Sequence, residues 1–172
     1  TILIRDVLLP IILVYILILP IVSKFIPVNR IYFGYNFSIK NILFVWLTLI
    51  INLILIINLF LKKFWGRPRP EDILELGGGH DFSSWYQISD ACSSNCSFVS
   101  GDAAVGFSLI VLYFVTNNLK YIYLSVIFGF LLGIVRIAEG GHFLSDVIFS
   151  AIIVLFFSFV IKKYFLNKFF YG

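Results

Sequence analysis

Charge is scarce in this chain, and the scarcity excludes most soluble architectures. Of 172 residues only 13% are Asp, Glu, Lys or Arg, against 60% hydrophobic, and a soluble domain carries about 25% charged residues. Two cysteines are too few for a disulfide-framework miniprotein. Two histidines, with cysteines at no zinc spacing, argue against a metal site; no cofactor is expected. Disorder is excluded by the apolar excess, and a coiled coil by the lack of alternating charge. What is present instead is a mean hydropathy of +1.01. That value predicts an all-α, polytopic transmembrane bundle forming a single integral membrane domain over residues 1–172.

Crossing a bilayer takes about 20 apolar residues per helix. Spans are expected at Ile2–Val22, Asn41–Leu61, Ala103–Leu119, Tyr121–Val135 and Phe143–Ile161. These runs are continuously apolar and do not alternate, which argues against a β-barrel. Asn52 and Asn58 in the second span are expected to bond to neighbouring helices, and Trp46, Trp65 and Trp85 to act as interfacial anchors.

Between the second and third spans runs a polar stretch of roughly 40 residues, too long for a plain connector. It is rich in Gly, Pro and Ser and holds most of the acidic residues, so it lies outside the bilayer or lines a cavity, with short helices expected in it. Lys24, Arg30, Lys40, Lys120, Lys162, Lys163 and Lys168 all fall on the opposite side from this loop when helices alternate. The positive-inside rule makes that side cytoplasmic. The excess of basic residues, net +4, therefore reads as topology and contact with anionic lipid, not as nucleic-acid binding. The same alternation puts Thr1 outside. With no methionine in the chain, one further transmembrane helix is expected before residue 1, six in all.

Three clusters share the outer face. The first is Lys62, six residues, then Arg69-Pro70, preceded by Arg67-Pro68. The second is Ser97-Phe98-Val99-Ser100-Gly101-Asp102, at the entrance to the third span. The last is Arg136, five residues, His142, three residues, Asp146. Lys62 offers a point charge and Arg69 a planar fork of donors, both suited to a phosphoryl group. Ser100-Gly101 opens a helix, where free N–H groups attract anions, and Gly101 lets the backbone approach the ligand. His142 and Asp146, four apart, share a helix face. An Asp bonded to Nδ1 would leave Nε2 unprotonated, an oriented nucleophile or base.

K-x6-RP, SG plus a polar residue, and R-x5-H-x3-D together resemble the type 2 phosphatidic acid phosphatase superfamily, over Lys62 to Asp146. The loop FWGRPRP…GG…CSSNCSFVSGD looks most like that of the bacterial lipid A 4′-phosphatases. Three positions depart from the superfamily pattern: Val99 for Pro and Asp102 for His in PSGH, and Val135 for the Ser before Arg136. The resemblance implies a metal-independent phosphatase with a phosphohistidine intermediate, in which His142 attacks phosphorus and Asp146 orients it. Lys62, Arg69, Arg136, Ser100 and the Gly101 N–H would hold the phosphoryl oxygens. Asp102 would stand where the general acid stands. An Asp donates a proton only when protonated, which takes burial or a negative neighbour; His80, in the GGGHD turn, is the alternative acid. On an oxidising periplasmic face Cys92 and Cys96 are expected to pair and brace the chain entering Ser97–Asp102.

The implied substrate is a membrane lipid phosphate, lipid A or a relative, reached at the periplasmic face of a bacterial inner membrane. Undecaprenyl pyrophosphate and phosphatidylglycerophosphate phosphatases share the three motifs and stay as alternatives. A different class is a non-catalytic phospholipid- or phosphate-binding transport component, which the Asp102 departure keeps open. Oligomeric state is not legible.

Overall fold

The computed structural model describes residues 2–25 and 38–170, with side chains described for 6–22, 25 and 38–165. Among the described residues the regular structure is helical. An isolated bridge between Ile73 and His80 replaces any sheet. Helix α1 runs Ile2–Phe25 and passes through Pro10 and Pro20. Helix α2 covers Ile39–Phe64; Ser38 caps it, its side chain accepting from the Asn41 N–H. The second half of α2, Ile50–Leu61, is wound as a π-helix.

The expected third span is two helices, α3 at Gly101–Phe107 and α4 at Ile110–Thr116. Ser108 accounts for the break: its Oγ donates to the Ala104 carbonyl at 2.7 Å, and such back-bonding bends a helix. Asn117, with φ of 55°, ends α4 in the left-handed conformation. Helices α5 (Lys120–Ala138) and α6 (Leu144–Phe170) complete the bundle. Both are longer than the apolar runs that announce them. Three helices are long and apolar enough to cross a membrane, Ile39–Phe64, Lys120–Ala138 and Leu144–Phe165. Asp6–Val22 and Gly101–Thr116 are shorter apolar helices, so two of the five expected spans fall below that length within the described residues.

The helices pack through small and polar groups, as expected where lipid gives no hydrophobic drive between them. Helices α3 and α5 cross at Gly106 and Gly129, where a Cβ on Gly106 would lie 2.6 Å from the Gly129 Cα. Ser125 on α5 donates to the Phe107 carbonyl at 2.7 Å. Asn52 reaches Ser158 on α6 at 3.2 Å, the cross-helix bond expected of it. Asn58 behaves otherwise: it donates to the Leu53 carbonyl of its own helix at 2.6 Å, because the π turn presents the carbonyl five residues back. Phe44, Ile57, Val111, Leu112, Leu132 and Val147 are buried, while Phe60, Ile127, Ile134, Phe156 and Phe159 are exposed on the outside.

Beyond α2 the loop folds back over one end of the bundle. Gly66, at φ of 61°, begins the turn; a Cβ there would collide with the Ser89 carbonyl. Two short 3-10 turns follow, Pro70–Asp72 and Leu74–Leu76. The chain then returns alongside its own start, Ser89 N–H to the Trp65 carbonyl and Ser97 N–H to that of Arg67. Trp65 and Trp85 also pack within the fold. Trp65 Nε1 donates to the Trp85 carbonyl at 2.8 Å, its ring lies on Phe98, and Trp85 lies on Phe149 of α6. Lys40, Lys120, Lys162 and Lys163 sit towards the helix ends away from Lys62, Arg136 and His142, matching the expected segregation. Arg30 and the side chains of Lys24 and Lys168 lie outside the described residues.

Candidate active site

At the loop end of the bundle lies a cavity of about 390 Å³ lined by Asp6, Leu9, Pro10, Lys62, Arg69, Asn95, Asp102, Arg136 and His142. Each motif reaches it for a local reason. Lys62 sits in the last turn of α2, and the Arg69 side chain comes in from just before the first 3-10 turn. Asp102 is in the first turn of α3 and Arg136 in the last turn of α5. The Gly140-Gly141 turn brings the chain from α5 to α6. Gly140 has φ of 71°, a left-handed conformation that favours glycine, and the Arg136 guanidinium lies against Gly141.

His142 is 2% exposed, and its Nδ1 is 2.7 Å from the carbonyl oxygen of Ser97. A carbonyl only accepts, so Nδ1 carries the proton and Nε2 is left with its lone pair. This corrects the expected Nδ1–Asp146 bond: the Asp146 carboxylate is 3.7 Å from Nδ1, a charge neighbour and not its hydrogen-bond partner. Burial pushes the His142 pKa below its ordinary value, with the pull of Asp146 partly offsetting it and Lys62 and Arg136 adding to the drop. The imidazole is thereby kept neutral.

Asp146, fully buried, is held from three sides. It accepts from Arg67 Nη1 at 2.6 Å, from the Ser97 hydroxyl, and from the Phe143 N–H at 2.9 Å. Arg67 is 2% exposed. It also donates to the Ser83 carbonyl and the Ser145 hydroxyl, both at 2.9 Å, and its guanidinium lies 4.0 Å over the Phe143 ring. Burial lowers its pKa against the opposing pull of Asp146, yet a guanidinium stays charged. Of the two Arg-Pro pairs, then, Arg69 faces the cavity and Arg67 is buried beneath it.

The remaining expected residues divide. Gly101 lies against the Lys62 side chain: a Cβ added there would stand 3.6 Å from Lys62 Nζ. Ser100 is buried, its Oγ accepting the Ala103 N–H at 3.4 Å as the cap of α3. Arg136 pairs with Asp102 through Nε at 3.3 Å and with Glu139 through Nη1 at 2.7 Å. The structure thus sets a cation, not a second carboxylate, beside Asp102. His80 lines a different surface pocket, with Asp81, Phe82, Gln87 and Asp90, and is not brought to His142. Cys92 and Cys96 are joined as a disulfide. Sequence reasoning missed Asn95 and Asp6, named Ser97 only as the first residue of the second cluster without giving it a role, and did not give Arg67 its place; only the doubled Arg-Pro hinted at that last residue. Among the described residues no group of His, Cys, Asp and Glu could hold a metal ion.

The model of the PAP2 superfamily matches residues 42–170. The chain belongs to the PAP2 superfamily. It is similar to the lipid A 4′-phosphatase of Francisella tularensis subsp. novicida (strain U112), 40% identical over 119 residues, or 67% of this chain and 54% of that protein. It is also similar to the lipid A 4′-phosphatases of Rhizobium leguminosarum (39% over 104 residues, 59% of this chain and 45% of that protein) and Rhizobium etli (39% over 102 residues, 58% and 40%). The chain spans about half the length of the curated relatives it matches. No solved structure gives a significant match.

Proposed function

We propose that residues 1–172 form an integral membrane phosphatase unit that hydrolyses a phosphate monoester of a membrane lipid, with lipid A at its 4′ position as the leading substrate. The observation that carries this reading is His142: buried, neutral, its Nδ1 proton engaged by the Ser97 carbonyl, and lining one cavity with Lys62, Arg69 and Arg136. The relatives named above are lipid A 4′-phosphatases, which supports the substrate class.

In the first step the Nε2 lone pair of His142 attacks phosphorus. The N–P bond forms as the P–O bond to the lipid breaks, and the departing oxygen takes a proton from Asp102. Asp102 enters the cycle protonated against the pull of the Arg136 cation, because the bound phosphate's own negative charge favours the acid form. Lys62, Arg69, Arg136 and the Gly101 N–H hold the three equatorial oxygens, where charge is spread in transit. As Nε2 bonds to phosphorus the ring becomes cationic; the Ser97 carbonyl keeps its Nδ1 proton, and the Asp146 charge at 3.7 Å favours that cation. In the second step Asp102 takes a proton from water, whose oxygen attacks phosphorus; the N–P bond breaks and inorganic phosphate leaves. Arg67 and the Ser97 hydroxyl hold Asp146 and leave the cavity unobstructed.

The cavity lies at the end of the bundle away from Lys40, Lys120, Lys162 and Lys163, so on this reading it opens to the periplasmic face of a bacterial inner membrane. The Arg136–Asp102 pair favours a second substrate class, polyprenyl pyrophosphates, whose leaving group needs less protonation. The test is phosphate release from lipid A, phosphatidylglycerophosphate and undecaprenyl pyrophosphate by purified protein. Turnover of lipid A, lost in His142→Ala together with an acid-labile phosphoenzyme, is the expected result. No phosphate from any of the three, with anion binding retained, would instead support a non-catalytic binding component.

A further inference from the structure

Five residues closed by the disulfide, Cys92-Ser93-Ser94-Asn95-Cys96, hang over the cavity and touch both motif-one cations. Asn95 Oδ1 accepts from Lys62 Nζ at 3.0 Å. The backbone carbonyl of the same residue accepts from Arg69 Nη2 at 3.0 Å and from its Nε at 3.3 Å. Asn95 is itself part of the cavity wall. One residue thus stands between two like charges as their shared acceptor and offsets the repulsion that would splay them apart.

We propose that Asn95 is a positioning residue that sets Lys62 and Arg69 for the phosphoryl group, held in place by the Cys92–Cys96 ring. This inference rests on the phosphate-site reading above and deepens it. The donor count supports it. Lys62 gives Asn95 one of its three N–H donors and Arg69 two of its five, so both cations keep donors for the ligand. The geometry needs a residue that tolerates a left-handed backbone and carries a side-chain acceptor three bonds from its Cα. Asn95 has φ of 52°, a region Asn adopts more readily than most residues. The ring ends at Cys96, buried, and the next residue is Ser97, whose carbonyl holds His142 and whose hydroxyl holds Asp146. A single covalently closed turn therefore sets the phosphate cations on one side and runs directly into the nucleophile's holder on the other.

The test compares wild type, Asn95→Gly and Cys92→Ser/Cys96→Ser as purified full chains in detergent. Readouts are vanadate inhibition, inorganic phosphate affinity by calorimetry, kcat and KM on the lipid that wild type turns over, and thermal midpoint. Glycine keeps the left-handed backbone and the carbonyl on Arg69 and deletes only the acceptor on Lys62. Its expected effect is a weakening of vanadate and phosphate binding by about fivefold to tenfold, with KM raised in step and the thermal midpoint little changed. The double serine variant frees the carbonyl as well and weakens binding further. Wild-type vanadate and phosphate affinity in Asn95→Gly overturns the proposal, as does a fall in kcat alone with KM and both affinities unchanged. If wild type turns over no lipid, the phosphatase reading fails, while calorimetry with phosphate still decides whether Asn95 sets the site.

Discussion

Arg67 and Asp146 are both essentially out of reach of solvent, and each is the other's principal countercharge at 2.6 Å. Removing one member of such a pair leaves an uncompensated buried charge, a loss of about 3–5 kcal/mol. Arg67→Ala is therefore expected to lower the thermal midpoint sharply and to disorder His142 with it, since Ser97 spans both Asp146 and the imidazole. Unchanged melting of that variant in detergent would refute the assignment. A second prediction concerns the imidazole, which lies between α5 and α6, outside the spans. Burial lowers its pKa from the ordinary 6.5, so the fold favours the neutral form. That preference contributes stability above pH 6.5 and loses it as pH falls through the lowered value. Of the two histidine signals in NMR of the purified protein, the one absent in His142→Ala should titrate with its midpoint below 6.5. A midpoint above 7 would contradict a neutral buried nucleophile. Direct titration is preferable to a rate profile because a phosphate monoester itself titrates near pH 6.

Among the elements, α3 carries the most constraint per residue. Its first turn presents Asp102 to the cavity and sets Gly101 beside Lys62, its middle meets α5 at Gly106, and Ser108 bends it away before α4. The crossing at Gly106 and Gly129 sets how far Asp102 stands from Arg136, because those two residues sit on the two crossing helices. Gly106→Val forces the backbones apart. Overpacking of this kind costs about 1–3 kcal/mol or more, and turnover is expected to fall further than stability as the 3.3 Å pair opens. A Gly106→Val protein with wild-type kcat/KM and thermal midpoint would show that the crossing does not set the site. Helix bounds were legible from apolar runs only to within a few residues. The break in the third span was not legible, since Ser108 reads as one more small residue until its hydroxyl is seen on the Ala104 carbonyl.

Among the described residues, the charged groups of the cavity gather at one end of the bundle, and Lys40, Lys120, Lys162 and Lys163 lie towards the other. On the reading proposed above, the end carrying Lys40, Lys120, Lys162 and Lys163 faces the cytoplasm. A fluorescent protein fused after residue 172 is expected to mature and fluoresce in bacteria, and an alkaline phosphatase fused there to stay inactive. The reverse pattern would place the cavity on the cytoplasmic side and remove the oxidising environment that the Cys92–Cys96 bond needs.

What the amino-acid sequence determined by itself was whatever is local: helical class, from the length of apolar runs, and Lys62, Arg69, Asp102, Arg136 and His142 as the candidates that the structure brings to one cavity, from motifs at helix ends that resemble the family's. What tertiary structure alone decided was who holds whom. Arg67 meets Asp146 across 79 positions of chain, Asn95 meets Lys62 across 33, and Ser97 meets His142 across 45. No periodicity or motif encodes such separations. Hydrogen bonds form between groups brought within about 3 Å, and only packing of the loop onto the bundle brings these groups there. For the same reason the partner of Nδ1 is a backbone carbonyl, an atom every residue offers and no side-chain pattern can single out.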